Sequence, residues 1–163
     1  MKLLIRGGSI AAGYGVHKGY ADILRESLAD RGIDVINRSG FGETSFDGIE
    51  TFKKDLEETA PGILLIHFGV DDAFSCVYRS EFQENIVRMV RMAKERFNPL
   101  IFLATSQAFD DPQDMDAAGI FYRSLRTVAS DLNCELIPVH SCWAGYLEEH
   151  HVRGADLLLA DTR

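Results

Sequence analysis

The sequence predicts a three-layer α/β domain built on a five-stranded parallel sheet. Two observations carry that prediction. Five short apolar runs, at residues 3–5, 35–36, 63–68, 100–104 and 135–139, recur along the 163 residues. Between them lie apolar residues at three- and four-residue spacing: Tyr20, Ile23, Leu24 and Leu28, then Phe82, Ile86, Val87 and Val90, then Ile120, Leu125, Val128 and Leu132. That spacing lines one face of a helix. Strands that are apolar throughout are covered on both faces, the habit of parallel sheets. Strand and helix patterns in alternation mean βαβ units.

Each strand end opens on chemistry. The first run leads into Gly7-Gly8-Ser9-Ile10-Ala11-Ala12-Gly13, a glycine-flanked serine, and a helix is expected over about residues 19–30. Glycine lets the chain turn sharply and approach a ligand closely. A helix start beside the serine would also supply N–H groups to an anion. The same heptapeptide also reads as a plain strand-to-helix turn with a capping serine. The second run leads into a turn-rich stretch, residues 37–45, and the third into Gly69-Val70-Asp71-Asp72. The fourth is followed by Thr105-Ser106-Gln107 and a polar loop at 109–114. The fifth strand is expected to end at His140, followed by Ser141, Cys142 and Trp143. In open α/β sheets ligands bind outside the carboxyl ends of the strands, so these segments converge on one edge.

Composition narrows the classes. A length of 163 residues suits one domain, and 46% hydrophobic with 26% charged residues is ordinary for a globular chain. The net charge of −8 lacks the basic footprint of a nucleic-acid binder. No stretch has the length and apolarity of a membrane span. Cys76, Cys134 and Cys142 are an odd number without CxxC spacing. They read as free thiols in a reducing compartment, which gives a cytoplasmic expectation. His150-His151 is the one close histidine pair, and adjacent residues rarely share a metal. No metal and no cofactor are expected. The glycine-rich start lacks the Lys-Ser/Thr of a phosphate loop, and Lys18 stands where a dinucleotide fingerprint needs its third glycine.

Read together, the blocks resemble those of the SGNH (GDSL-type) hydrolases. Gly7-Gly8-Ser9-Ile10-Ala11-Ala12-Gly13 is similar to the family's Gly-Asp-Ser-x-x-x-Gly turn, and Gly42-Glu43-Thr44-Ser45 to its Gly-Asp-Thr turn. Gly69-Val70-Asp71-Asp72 is similar to Gly-x-Asn-Asp, and residues 157–163 to the approach to Asp-x-x-His. The resemblance covers essentially the whole chain, in order. It implies a flavodoxin-like fold and an ester hydrolase or acyltransferase acting through an acyl-Ser9 intermediate. In that reading Ser9 is the nucleophile. The N–H groups of Ser9 and Gly42, with the side chain at position 71, form the oxyanion hole. Asp161 orients a histidine three residues later. The chemistry fits, because a serine hydroxyl needs an adjacent base and a tetrahedral intermediate needs donors aimed at its oxygen. The aspartate would fix the histidine's tautomer.

Three departures from the pattern matter. Gly8 replaces the aspartate beside the nucleophile. Asp71 stands where the oxyanion asparagine is expected, and an ionised carboxylate accepts but cannot donate. A protonated Asp71 could donate, and on this reading Asp71→Asn raises the rate at neutral pH by restoring a donor. Third, the motif histidine would fall at position 164, one beyond Arg163. A single domain over 1–163, lacking a C-terminal helix, is therefore expected, with an exposed sheet face that favours association with a second copy.

The remaining candidates have modest expectations. His150 and His151 read as solvated helix-end residues before they read as a base. His67 reads as a satisfied core or near-site histidine, His140 as structural or substrate-contacting, and His17 as a loop residue. Asp71 and Asp72 read as a helix N-terminal pair before a metal or acid–base pair. Cys76 is expected to be a buried thiol. Phe41, Trp143 and Tyr146 either line an apolar acyl pocket or pack the core, with at least one expected in the core. Two rivals stand beside the esterase: a catalytically impaired binding or scaffold protein of the same fold, and a flavodoxin-like phosphate or cofactor binder. Fluorophosphonate labelling of Ser9 separates the first rival from the esterase. A flavin or nucleotide spectrum would reveal the second.

Overall fold

Alternation of burial along the strands organises this molecule. The computed structural model describes residues 1–157. Five strands, β1 (Lys2–Gly7), β2 (Asp34–Asn37), β3 (Ile63–His67), β4 (Leu100–Ala104) and β5 (Glu135–Ile137), form one sheet in the order β2-β1-β3-β4-β5. Every neighbouring pair is parallel, as the apolar runs predicted. Successive side chains on a strand point to opposite faces. Leu4, Leu64, Ile66, Ile101 and Leu103 therefore face one way, and Leu3, Ile5, Leu65 and Ala104 the other.

Eight helices accompany the sheet among the described residues: α1 (Ser9–Ala12), α2 (Tyr20–Ala29), α3 (Ser45–Thr59), α4 (Val70–Phe74), α5 (Arg79–Arg96), α6 (Pro112–Asp131), α7 (Val139–His150) and α8 (Gly154–Leu157). The larger core cluster lies under α3, α5 and α6, with Phe52, Leu56, Phe82, Ile86, Met89 and Leu125 fully buried. Each such side chain contributes about 1.5–3 kcal/mol on burial. The smaller cluster lies under α1 and α2, through Ala11, Ala21 and Val35. No helix among the described residues is long and apolar enough to cross a membrane.

Several sequence expectations are corrected. The loop expected at 109–114 ends early, because Asp111 caps α6 by accepting from the N–H groups of Gln113 and Asp114. Pro112 then occupies the first turn, where its missing N–H costs nothing. Ile120, assigned to the inward face of that helix, is exposed; Ala118, Phe121, Tyr122 and Leu125 face in. The fifth strand stops at Ile137, and His140 belongs to the first turn of α7. Cys76 is exposed rather than buried. None of Phe41, Trp143 and Tyr146 belongs to the core: Phe41 and Tyr146 are exposed, and Trp143 is half-buried at the wall of the main cleft.

Candidate active site

The strand ends deliver the site. Gly7 of β1, His67 of β3 and the chain just after Ala104 of β4 lie side by side, because Gly7 pairs with His67 and Ile66 with Leu103. Ser9, two residues past Gly7, opens the one-turn α1. Its hydroxyl accepts a hydrogen bond from the Gly42 N–H at 2.9 Å. The same hydroxyl donates to Asp71 Oδ1 at 2.6 Å. The Ser9 N–H donates to the other carboxylate oxygen, Oδ2, at 2.8 Å. Three expected site residues from three separate segments thus meet at one oxygen. The fourth, Asp161, lies outside the described residues.

Gly8 explains how Asp71 fits. A Cβ at Gly8 would sit 2.0 Å from Asp71 Oδ2 and 2.5 Å from the Glu43 carbonyl oxygen. The carboxylate at position 71 therefore occupies space that any side chain at position 8 would need. The first two departures from the block pattern are one packing arrangement. Gly42 turns with φ +69°, a left-handed conformation that glycine adopts without strain. That turn aims its N–H at Ser9.

Two buried networks hold these loops. Arg6, 2% exposed, reaches under α3. Its guanidinium lies 3.3 Å from Glu43 Oε2 and 3.2 Å from Asp55 Oδ2, and it donates to Thr51 Oγ1 at 2.9 Å. The two carboxylate contacts are ion pairs rather than aligned hydrogen bonds, since neither Arg6 Nε nor Glu43 Oε2 has a directed partner. Glu43 follows Gly42, so Arg6 ties the donor loop to β1. Asp72 is fully buried and accepts from the Ser45 N–H at 2.8 Å. As read from the sequence, Asp71 and Asp72 form a helix N-terminal pair, in the first turn of α4. Asp72 caps the neighbouring α3, and Asp71 serves Ser9. Burial raises the Asp72 carboxyl above the ordinary range, partly offset by its bonds to Ser45.

The site opens on a cleft of about 1170 Å³. Ile10, Leu24, Leu65, Val70, Phe74, Ile137, Val139 and Trp143 make its wall largely apolar, and Tyr14 stacks on Phe41 at the rim with ring centroids 4.0 Å apart. One polar chain lies in the cleft. His67 is hydrogen-bonded through Nδ1 to the Tyr20 hydroxyl at 3.0 Å and through Nε2 to Ser106 Oγ at 2.9 Å. Burial lowers its pKa to about 4, so the ring is neutral at physiological pH. The sequence read His67 as a core or near-site histidine and put Ser106 at the converging edge, but it gave Tyr20 only a place on a helix face. His140 is hydrogen-bonded to Thr105 Oγ1 at 2.9 Å, and its pKa is lowered by desolvation and then by Arg126. His150 closes the last turn of α7 with its ring on Tyr146. Among the described residues, Gly42 and Asp71 are the hydrogen-bond partners of Ser9 Oγ.

The model of the GDSL-like lipase/acylhydrolase family matches residues 6–162. The chain belongs to that family. That match spans nearly the whole chain. Esterase TesA of Pseudomonas aeruginosa is 32% identical over 96 residues, 56% of this chain and 48% of TesA. An arylesterase of Vibrio mimicus is 30% identical over 98 residues, 58% of this chain and 49% of that protein. The alignments thus span about half the length of the curated relatives. A crystal structure of TesA superposes with a TM-score of 0.79 at 27% identity, covering 99% of this chain and 87% of that one. LAE5, an α/β hydrolase from the metagenome of Lake Arreo, reaches 0.84 at 19% identity, with 98% and 85% covered, a likeness of fold.

Proposed function

We propose that this GDSL-family chain is a serine esterase that cleaves small O-acyl esters through an acyl-Ser9 intermediate. One observation carries the reading. Ser9 Oγ lies at the carboxyl edge of the sheet, on the apolar cleft, between an N–H donor and a carboxylate acceptor. That is the setting of an activated nucleophile. The N–H groups of Gly42 and Ser9 are the oxyanion donors, and losing one such donor costs about a hundredfold to a thousandfold in rate. The apolar wall suits an acyl or aryl group. The names of the two curated relatives, an esterase and an arylesterase, support the same substrate class. In the block pattern Asp161 orients a histidine three positions on, beyond these residues.

The test is hydrolysis of a short-chain aryl ester by the chain and by Ser9→Ala. The reading expects turnover by the wild type and loss of at least a hundredfold on removal of the hydroxyl. Equal turnover by the two would overturn it.

A further inference from the structure

We infer that Tyr20 determines specificity: its hydroxyl oxygen is a fixed hydrogen-bond acceptor on the cleft wall and selects esters that carry an O–H donor. The inference rests on the proposed esterase activity and deepens it by naming a group on the substrate. Tyr20, His67 and Ser106 all line the cleft. They come from the start of α2, the end of β3 and the segment just after β4. Leu24, Leu65 and Ala104 line the same cleft, so a hydrogen-bonded polar chain stands on a largely apolar wall. The proposed chemistry at Ser9 makes no use of that chain.

The direction of each hydrogen bond follows from counting hydrogens. A neutral imidazole has one N–H and one bare nitrogen. His67 is neutral at physiological pH, because burial lowers its pKa to about 4. One of its two neighbours therefore donates to it, and the other accepts from it. Tyr122 decides which. Its hydroxyl donates to the Gln107 carbonyl at 3.0 Å, and its oxygen accepts the Ser106 hydroxyl. Ser106 has then spent its hydrogen and accepts the Nε2–H of His67 at 2.9 Å. Nδ1 is left bare and takes the Tyr20 hydrogen at 3.0 Å. Burial raises the Tyr20 pKa, so the phenol keeps that hydrogen. Among the described residues His67 is the hydrogen-bond partner of the Tyr20 hydroxyl. The Tyr20 oxygen thus has a lone pair left and no hydrogen to offer. A hydroxyl on a bound ester satisfies it; an ether oxygen there sets lone pair against lone pair. That hydroxyl belongs to the acyl side or to the alcohol side of the ester.

The experiment reads binding, so its outcome is separate from that of the turnover test of Ser9. Trp143 is the single tryptophan and lines the cleft, so its fluorescence reports occupancy. The Ser9→Ala chain is titrated with esters matched except for one donor hydrogen. Phenyl 3-hydroxybutyrate against phenyl 3-methoxybutyrate probes the acyl side. The pair 3-hydroxypropyl benzoate and 3-methoxypropyl benzoate probes the alcohol side. The hydroxyl member of one pair should bind about tenfold more tightly, the worth of one good hydrogen bond, and that pair identifies the side. Tyr20→Phe, added to Ser9→Ala, keeps the ring and should bring the ratio of the two Kd values to about one. Ser106→Ala, added likewise, removes the acceptor of the Nε2–H. The ring hydrogen then moves to Nδ1, Tyr20 turns its own hydrogen into the cleft, and the ratio should again fall to about one. Each ratio compares two ligands on one variant, so a loss of folded protein cancels. A ratio of one in both pairs for Ser9→Ala overturns the inference. So does a ratio that survives Tyr20→Phe or Ser106→Ala, which would reflect the bulk of the methyl group, and so does an unchanged Trp143 signal with every ester. None of these results bears on Ser9 as nucleophile, which the turnover of wild type against Ser9→Ala decides.

Discussion

Gly8→Ala is the smallest change that separates this site from the pattern it resembles. The Gly-Asp-Ser pattern places an aspartate at position 8, so restoring a side chain there looks harmless from sequence. The structure says otherwise. The added Cβ would lie 2.0 Å from Asp71 Oδ2 and 2.5 Å from the Glu43 carbonyl oxygen. The carboxylate can swing away, but the Glu43 carbonyl is backbone and moves only with the Gly42 turn. Displacing Asp71 removes its two hydrogen bonds to Ser9, each of a kind worth about 1.5–3 kcal/mol. Asp71 and Ser9 are half-buried, so water recovers much of that, leaving a net cost of about 2 kcal/mol. For a domain of this size that is a fall of about 4–8 °C in melting temperature. Fluorophosphonate labelling of Ser9 should fall with it, by tenfold or more, because the acceptor and the Gly42 donor are both misplaced. The assay is a thermal melt by circular dichroism beside a labelling time course. A variant that melts and labels like the wild type would refute the packing argument.

Two further predictions concern buried ionisable side chains. Arg6→Met should cost about 3 kcal/mol in urea unfolding, because it strands Asp55 and Glu43 without their cation; the double variant with Asp55→Leu should regain part of that loss, and an unchanged midpoint in Arg6→Met would contradict the role given to the pair. His67 has a folded pKa of about 4 against an ordinary 6.5, so the unfolded chain takes up that proton first and stability falls as pH drops from about 6.5 toward 4. At 1.36 kcal/mol per pKa unit, urea unfolding at pH 7 and 4.5 should show about 2–3 kcal/mol more loss in the wild type than in His67→Gln; equal losses would mean that His67 is not held neutral.

What the sequence disclosed depended on whether a residue's partner was local. Residues 63–68 are apolar throughout, and a doubly covered central strand followed directly. The helix at 45–59 was not anticipated, because its inward face carries Asp55 and Thr59 beside Phe52 and Leu56. Asp55 faces in because Arg6, inside an otherwise apolar strand, brings a buried charge to that face. Only the fold reveals that pairing. The start of α6 was read as loop although its signal was there, since Asp111-Pro112 is a cap followed by a first-turn proline. The early end of β5 was less so: the apolar run continues past Pro138 into Val139, already helical. At the site, Ser9, Gly42 and Asp71 were legible as blocks and meet as expected. That Gly8 and Asp71 depend on each other was not legible, because they lie far apart in sequence and each looked like an independent departure.

The account stands on Ser9 as a covalent nucleophile. Mixing the chain with excess p-nitrophenyl acetate, quenching in acid within seconds and mapping the mass shift by peptide digestion measures that directly. The account predicts an acetyl group on the peptide that contains Ser9, absent in Ser9→Ala. An acetyl group found only on other residues, or turnover with no acetylated protein in any variant, would contradict it.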